Sequence, residues 1–137
     1  MILGLGIDAV DIGRVEQLLA RHQDRALARL FTPDEARYAC RRPQPARHLA
    51  ARLAAKEAAY KALAGNALAR AIGWREIEVL ISTDSAPRLQ FHGLAARRAV
   101  EMHVSRTWVS LTHSDHSAMA VVILEGETGT APTVRNA

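Results

Sequence analysis

Four charged residues of this chain have the types and spacing needed to bind a phosphate with the help of a metal ion. Lys56, Glu57 and Lys61 lie close together in an alanine-rich segment, and Asp8 follows an apolar run near the N-terminus. Lys56 and Lys61 are the only lysines among the 18 Lys and Arg residues, so compact ammonium groups are confined to this segment. Carboxylates beside such cations suit Mg²⁺ shared with the phosphates of a ligand. The alternative is a solvated helix with an ordinary Glu57–Lys61 surface ion pair and a snorkelling Lys56.

The segment that carries Lys56, Glu57 and Lys61 is predicted to be a long helix. Residues 50–63 are rich in Ala and Leu without interior Gly or Pro, and Gly65 with Asn66 marks the helix end. Lys56 takes a position in the apolar stripe, where a cation is costly unless it is paired or used in a site. The apolar members of this stripe are Leu49, Leu53, Tyr60 and Leu63.

Asp8 is expected at the C-terminal end of a short buried strand formed by residues 2–7. Gly4 and Gly6 of this strand permit close approach of another backbone. Asp8 has no evident structural task, because Asp11 is better placed to cap the first helix. We therefore take Asp8 as a candidate functional carboxylate.

Arginines cluster at two places where an anionic partner or ligand could bind. On the first helix, Arg14, Arg21 and Arg25 are spaced by seven and four residues and would share one polar face. This face suits an acidic helix of a partner protein, although a solvated face is the alternative interpretation. A second cluster surrounds the start of the long helix and offers a phosphate a place to bind. It comprises Arg41, Arg42, Arg47 and Arg52.

His113 is predicted at the end of a strand, with Ser114 in the tight turn that follows. The histidine could donate to a phosphate or act in acid/base chemistry. A zinc site shared with His116 has weak support, because no cysteine and no clear third ligand accompany the two histidines. A histidine in a turn is also often only a turn residue.

The other elements are predicted from turn, capping and alternation signals. After residue 124 the composition shifts to Gly, Thr, Pro and Asn, which predicts a frayed tail over residues 125–137. The elements are a helix capped by Thr32 and Glu35 and ending near Arg41, a strand over 74–81, a turn over 84–87, a return strand over 89–91, a helix over 93–100, and a hairpin of strands 107–112 and 118–124.

Composition narrows the classes of function. A net charge of +4 and a pI near 10 favour an anionic partner. The single cysteine, Cys40, cannot form an internal disulfide, which predicts a reducing cytoplasm, and neither a signal peptide nor a membrane span is expected. A nucleic-acid-binding module is an alternative, yet it predicts stacking aromatic residues that are few here. A scaffold held by ion pairs would make no use of Asp8.

Taken in chain order, these motifs resemble the holo-[acyl carrier protein] synthase family of 4′-phosphopantetheinyl transferases, to about Leu124. The resemblance implies an α+β fold in a single domain of residues 1–124, with a small, mostly antiparallel sheet packed with a long central helix. The matching residues are Gly6-Ile7-Asp8 with Arg14, Phe31-Thr32, Arg52-Leu53-Ala54-Ala55-Lys56-Glu57-Ala58 with Lys61, Trp74 with Glu76-Ile77-Glu78, and Val109-Ser110-Leu111-Thr112-His113.

The same resemblance implies a Mg²⁺-dependent enzyme that moves 4′-phosphopantetheine from coenzyme A to a serine of apo acyl carrier protein, for fatty acid biosynthesis. Asp8 and Glu57 would bind Mg²⁺ and, with Lys61, form the catalytic set. Arg14 and Arg21 would meet the acidic carrier protein. Family members are trimers with the coenzyme between subunits, so some arginines of the second cluster could serve a neighbour's site. The expected contacts of coenzyme A are Arg52, Lys56, Lys61, His113 and Ser114.

Overall fold

The computed structural model describes residues 1–127, which form two antiparallel sheets and five helices. One sheet has three strands in the order β1-β5-β4, and β2 pairs with β3 in a separate hairpin. The elements are β1 (Ile2–Asp11), α1 (Ile12–Leu30), α2 (Pro33–Cys40), α3 (Pro45–Leu63), α4 (Ala67–Arg70), a 3₁₀ turn (Trp74–Glu76), β2 (Ile77–Ser82), β3 (Ser85–Phe91), α5 (Gly93–Glu101), β4 (Arg106–His113) and β5 (Ser117–Glu125).

The long helix α3 lies at the centre and is buried on most of its surface. Its alanines pack with Ala120, Val122 and Leu124 of β5 in the main core. The predicted apolar stripe is therefore too narrow: Leu49 and Leu63 are fully buried, but Tyr60 is exposed because the alanines, not the tyrosine, face the sheet. The predicted fold class, α+β with a small antiparallel sheet packed with a long central helix, is confirmed.

Two glycines of β1 let α3 lie directly on the strand. A Cβ on Gly4 would collide with the carbonyl oxygen of Ala62, and a Cβ on Gly6 would collide with that of Ala58. The predicted close backbone approach is therefore confirmed. Because Asp8 is two residues beyond Gly6, this contact brings its side chain to the same face of the strand and next to α3.

The prediction that β1 ends at residue 7 is wrong. The strand continues to Asp11, because β5 pairs with it along its whole length, from Ile2 opposite Glu125 to Asp11 opposite Ser117. Asp8 consequently lies inside the strand, opposite Ala120. The strand is also not buried on both faces, since Ile7 is 66% exposed.

The region after α3 differs from its predicted boundaries. Trp74 begins a 3₁₀ turn instead of a strand, because the Glu76 carboxylate accepts hydrogen bonds from the Gly73 and Leu94 amides and folds the segment back. The return strand starts at Ser85, earlier than predicted, since Ser82 already pairs with Ser85. The predicted turn over 84–87 is thus shorter.

The two N-terminal helices begin with the predicted caps. The Asp11 carboxylate accepts a hydrogen bond from the Gly13 amide at 2.8 Å, and Thr32 with Glu35 forms a capping box. Helix α1 is irregular at His22, where φ is −144° and ψ is 38°. This kink separates Arg25 from Arg14 and Arg21, so the three arginines do not follow one straight stripe.

The outer face of the three-stranded sheet is apolar and exposed. Side chains alternate between the two faces of a strand, and one face packs on α3. Leu5 and Ile7 are 62% and 66% exposed on the other face. The row opposite them in β5 and β4 comprises Met119, Val121, Ile123 and Trp108.

No helix within residues 1–127 is long and apolar enough to cross a membrane. The first residue of the predicted tail, Glu125, belongs to β5, and the Gly126 amide donates to the Met1 carbonyl at 2.9 Å. The predicted tail from residue 128 onward lies outside the described residues, and the division of the chain at residue 124 stays a prediction.

Candidate active site

Asp8 and Lys61 form an ion pair at the junction of β1 and α3. The Lys61 ammonium donates to Asp8 Oδ1 at 2.9 Å and to the Ile7 carbonyl at 3.0 Å. The Lys61 side chain is 54% exposed, whereas that of Asp8 is 13% exposed. Lys61 therefore pairs with the carboxylate of Asp8 on the strand. The spacing of an isolated helix would instead favour a pair with Glu57.

The second oxygen of Asp8 is buried and lacks a hydrogen-bond donor among residues 1–127. A buried carboxylate oxygen without a partner is costly. Glu57 is the neighbouring acid, and a proton on Glu57 could supply the missing donor. Burial, the hydrogen bond that a protonated Glu57 can donate to Asp8, and the negative charge of Asp8 together raise the pKa of Glu57 to about 7, against the opposing charges of Lys61 and Arg14. Burial opposes ionisation of Asp8, but hydrogen bonds from Glu57 and Lys61 hold the pKa of Asp8 below its usual value.

The Asp8 and Glu57 carboxylates have the chemistry of ligands for a divalent cation. Two neighbouring carboxylates repel each other when both are ionised, and a proton on one of them relieves this repulsion. A bound cation would relieve it in place of the proton. No group of three or more His, Cys, Asp or Glu residues suited to a metal occurs in the part of the chain described. A two-carboxylate set agrees with Mg²⁺, which is usually held by one or two carboxylates while waters and substrate phosphates complete its coordination.

We expect the stability of the metal-free protein to depend on Glu57 between its ordinary pKa of 4.5 and about 7. The folded state holds the proton more tightly than the unfolded chain, so the stabilising contribution is complete below pH 4.5 and is lost as the pH rises through about 7. In chelator, the Tm should fall by a few degrees across this window. Glu57→Gln should abolish that part of the decline, and an unchanged pH profile in this variant would contradict the raised pKa.

Glu57 lies between two hollows of the surface. On one side is an apolar trough of about 510 Å³, and on the other a smaller hollow of about 310 Å³ beside α1. Besides Glu57, the trough is lined by Lys56, Tyr60, Lys61, Arg70, Ile72, Gly73, Trp74 and Ile77. The hollow is lined by Ala9, Val10, Asp11, Arg14, Val15, Leu18 and Leu53. A carboxylate in this position can face two different ligands.

The two predicted carrier-binding arginines lie on the side of the α1 hollow. Arg14 lines the hollow, and its positive charge acts on Glu57. Arg21 is exposed further along α1, directly before the kink at His22. Beyond the kink, an open groove of about 720 Å³ runs along α1. This α1 groove is lined by Leu18, His22, Arg25, Ala26, Ala28, Arg29, Leu30 and Trp74.

Arg52 and Lys56, two predicted coenzyme contacts, lie inside the protein at 1% exposure each. The Arg52 guanidinium stacks on the Tyr38 ring at 4.3 Å and donates to the His48 carbonyl at 3.4 Å. The Lys56 ammonium is held by three acceptors of the protein. Their assignment to the coenzyme stays a prediction, and Lys56 in particular has an internal role that is derived below.

His113 and Ser114 are exposed at the end of β4, on the opposite edge of the three-stranded sheet from β1. His113 pairs with Ala118 in the sheet. Burial is the largest cause that holds the pKa of His48 below its usual value, and the positive charges of Arg52, Arg42, Arg47 and His113 add to it. Three arginines of the second cluster, Arg42, Arg47 and Arg52, and His113 therefore lie close enough to His48, near the N-terminal end of α3, for their charges to act on it. Lys61 lies 13 positions further along the same helix, which corresponds to about 20 Å.

Sequence reasoning missed much of the trough wall. Arg70 lies on α4, a one-turn helix that was not predicted, although Asn66 is its N-cap and accepts from the Ala69 amide at 2.9 Å. The sequence signal was present, because Asn is a strong N-cap, but it was assigned only to the end of α3. Ile72 and Tyr60 carried no separate signal for a binding site.

The chain matches the family model of the 4′-phosphopantetheinyl transferase superfamily over residues 4–122. A holo-[acyl-carrier-protein] synthase of Geobacter sulfurreducens is 42% identical over 125 residues, which cover 91% of this chain and 98% of that protein.

Solved structures of similar proteins share the fold. The acyl carrier protein synthase of Mycobacterium tuberculosis superimposes with a TM-score of 0.71 at 37% identity, covering 93% of this chain and 100% of that one. A holo-(acyl-carrier-protein) synthase from Bacillus anthracis, solved in complex with CoA (3′,5′-ADP), gives a TM-score of 0.73 at 29% identity over 93% of this chain and 99% of that one.

Proposed function

Since the chain belongs to the 4′-phosphopantetheinyl transferase superfamily, we propose that it transfers 4′-phosphopantetheine from coenzyme A to a serine of apo acyl carrier protein. The products are holo carrier protein and adenosine 3′,5′-bisphosphate, and the reaction serves fatty acid biosynthesis in the cytoplasm. The observation that carries the proposal is the cluster of Asp8, Glu57 and Lys61 between an apolar trough and an arginine-lined surface.

The residues of this cluster divide the work of the reaction. The serine oxygen of the carrier forms a bond to the phosphorus that bears pantetheine, and the bond from this phosphorus to the bridging oxygen breaks. Lys61 already donates to Asp8 and Ile7, and its exposed ammonium can donate a further hydrogen to the phosphate that leaves. Glu57 faces the α1 hollow and can accept the serine proton, directly or through a water.

Asp8 and Glu57 are the residues that would hold Mg²⁺. Their two carboxylates, one of which includes the Asp8 oxygen that has no hydrogen-bond donor among residues 1–127, form a donor set of the right chemistry. The bound ion would neutralise charge on the pyrophosphate. Phosphoryl transfer asks the protein mainly for positioning and charge stabilisation, and these side chains are fixed for both tasks by the β1–α3 contact.

The pantetheine arm is proposed to lie in the apolar trough, whose apolar lining includes Ile72, Trp74 and Ile77. Its phosphate end would then meet Lys61 at one end of the trough. The nucleotide end carries further negative charge and suits His113, Ser114 and the arginines around His48. Along α3, His48 lies about 20 Å from Lys61, and we propose that the nucleotide-binding groups of one chain serve Lys61 of a neighbouring chain.

We infer that the enzyme is a homotrimer in which neighbouring chains complete each site. The exposed apolar face of the three-stranded sheet, with Leu5 and Ile7 on its edge strand β1, is the surface proposed to be covered by copies of the chain. Mixing inactive Lys61→Met with inactive His113→Ala should restore activity at about a quarter of the sites, because mixed trimers contain sites with both residues intact. Sedimentation should give a trimer. A monomer, or a mixture that stays inactive, would contradict the shared site.

The carrier protein is proposed to dock on α1. Arg14→Ala with Arg21→Ala should raise the KM for the carrier several-fold and leave that for coenzyme A unchanged, since both arginines are exposed on the α1 side. The wild-type rate at low carrier concentration should also fall with added salt. Arg97→Ala, an exposed arginine on α5, is the matched control. An unchanged carrier KM in the double variant would exclude this surface.

The proposed function is tested by incubating the protein with coenzyme A, Mg²⁺ and apo carrier protein. We expect the mass of the carrier to increase by one phosphopantetheine group and adenosine 3′,5′-bisphosphate to appear in equal amount. A carrier of unchanged mass, with a known transferase active in parallel, would overturn the proposal.

A further inference from the structure

Lys56 has no donor left for a ligand. Its side chain is fully buried, and its ammonium donates to Glu35 Oε1 at 2.7 Å, to the Trp74 carbonyl at 2.9 Å and to the Ile77 carbonyl at 2.7 Å. An ammonium group has three hydrogens, and these three acceptors use all of them. The ammonium is therefore bound within the wall of the trough.

Glu35 connects this ammonium to two further elements. Its Oε1 also accepts from the Thr32 amide at 2.9 Å, at the start of α2, and its Oε2 accepts from the Val79 amide at 3.0 Å, in β2. Both charges of the ion pair are therefore satisfied inside the protein. The pair ties α3 to α2 and β2 at the position directly before Glu57.

The segment held by Lys56 forms the boundary between two surfaces of the site. The two carbonyls belong to Trp74, at the start of the 3₁₀ turn, and to Ile77, directly after its end. Both side chains line the trough, and Trp74, which is 36% exposed, also lines the α1 groove. Trp74 is thus the wall shared by the proposed pantetheine site and the proposed carrier surface.

We propose that Lys56 is a positioning residue for the transfer reaction: its buried ammonium fixes the Trp74–Ile77 segment so that Trp74 separates the coenzyme trough from the α1 groove. This inference rests on the proposed function, because the trough is assigned there to the pantetheine arm, and α1, along which the groove runs, is assigned to the carrier. The Lys56 ammonium donates to neither substrate, and it acts through Trp74.

A buried ion pair is a weak source of stability, since apolar residues of similar volume often stabilise a core as well. An ammonium group adds directional hydrogen bonds. Those to the Trp74 and Ile77 carbonyls fix the position of this segment, whereas an apolar contact would allow it to shift. A shift of about 1 Å in a group that positions substrate can cost about 100-fold in rate. The position of Trp74, which Lys56 fixes, therefore explains why a lysine occupies this position in the core.

The test is a double-variant cycle in the transfer assay. Lys56→Met keeps the length of the side chain and removes its donors, and Trp74→Ala removes the shared wall. We expect Lys56→Met to lower kcat/KM for both substrates by about 10- to 100-fold per folded molecule. In the Trp74→Ala background the same substitution should cost less than about twofold, because the two residues act as one unit. Folded protein is quantified by circular dichroism well below each Tm.

Glu78→Gln is the matched control for lost stability. Glu78 is also buried, accepts a hydrogen bond from the Thr32 hydroxyl and hydrogen-bonds to His92, but it is not one of the three hydrogen-bond acceptors of Lys56. This variant should be destabilised yet keep kcat/KM per folded molecule. If Lys56→Met does not fold, Lys56→Arg, which keeps a cation with several donors, replaces it in the cycle and should lose less activity.

Three results would overturn the positioning role: wild-type kcat/KM in the Lys56 variant, wild-type kcat/KM in Trp74→Ala, or an equal cost of the Lys56 substitution in both backgrounds. Inactive wild-type protein would instead overturn the proposed function and this inference with it. An active wild-type enzyme with an unaffected Lys56 variant would overturn the inference alone.

Discussion

Replacing Asp8 by Asn is expected to abolish transfer while leaving the fold intact. The amide has the same shape, but it removes the charged partner of Lys61 and one of two carboxylates proposed to hold Mg²⁺. A metal ion contributes several kcal/mol of charge stabilisation, and each 1.36 kcal/mol is tenfold in rate, so kcat should fall by about a thousandfold or more. The carrier's mass gives the rate, titration calorimetry gives Mg²⁺ binding, and circular dichroism reports the fold.

The chain offers a close control for this substitution. Asp11→Asn changes an aspartate three residues further along β1 that caps α1, and asparagine is an equally good cap. This variant should keep both activity and stability. Glu57→Gln should reproduce the loss seen with Asp8→Asn. Unfolding of Asp8→Asn would assign the carboxylate to the structure, and retained Mg²⁺-dependent activity would remove it from the catalytic set.

Replacing Lys61 by Arg is expected to lower kcat by about 10- to 100-fold and to weaken coenzyme A binding much less. The compact ammonium binds Asp8 and the Ile7 carbonyl while remaining exposed towards the trough. A planar guanidinium keeps the charge, so binding persists, but it cannot present the same donor at the leaving phosphate. Loss of transition-state stabilisation appears in kcat, which steady-state kinetics measures separately from KM.

A purely structural role for Lys61 predicts a different outcome. Arginine pairs with carboxylates at least as well as lysine, so an Asp8 partner alone would leave kcat near that of the wild type. Lys61→Met serves as the comparison, because it removes the charge and should impair both kcat and coenzyme binding. Near-wild-type kcat in Lys61→Arg would therefore return the lysine to an ion-pair role.

Local signals predicted those parts of the fold that depend on neighbours in the chain. The caps at Asp11 and Thr32 were found because each is satisfied within three residues. The long helix followed from propensity. The close packing of β1 on another backbone followed from Gly4 and Gly6, because glycine in a strand often marks such an approach. The α+β fold and the superfamily came from the order of motifs along the chain.

The missed features depend on residues that are distant in sequence. Asp8 was placed at a strand end, because the pairing that extends β1 comes from β5, more than 100 residues later. Lys56 was recognised as an anomaly in the core pattern, but its partner Glu35 lies 21 positions earlier and was assigned only a capping task. The Lys61–Asp8 pair spans 53 positions. Helical spacing alone favoured Glu57 as the partner of Lys61.

The glycine contacts of β1 make the site sensitive to changes that carry no charge. Asp8 lies on the strand, while Glu57 and Lys61 lie on the helix, and the gap between these elements is set by main-chain atoms at Gly4 and Gly6. A single methyl group at Gly6 would force the two elements apart, and no side-chain rotation could close the gap again. A genetic screen for inactive variants should thus recover substitutions at Gly6 together with those at the carboxylates, although a glycine takes part in no chemistry.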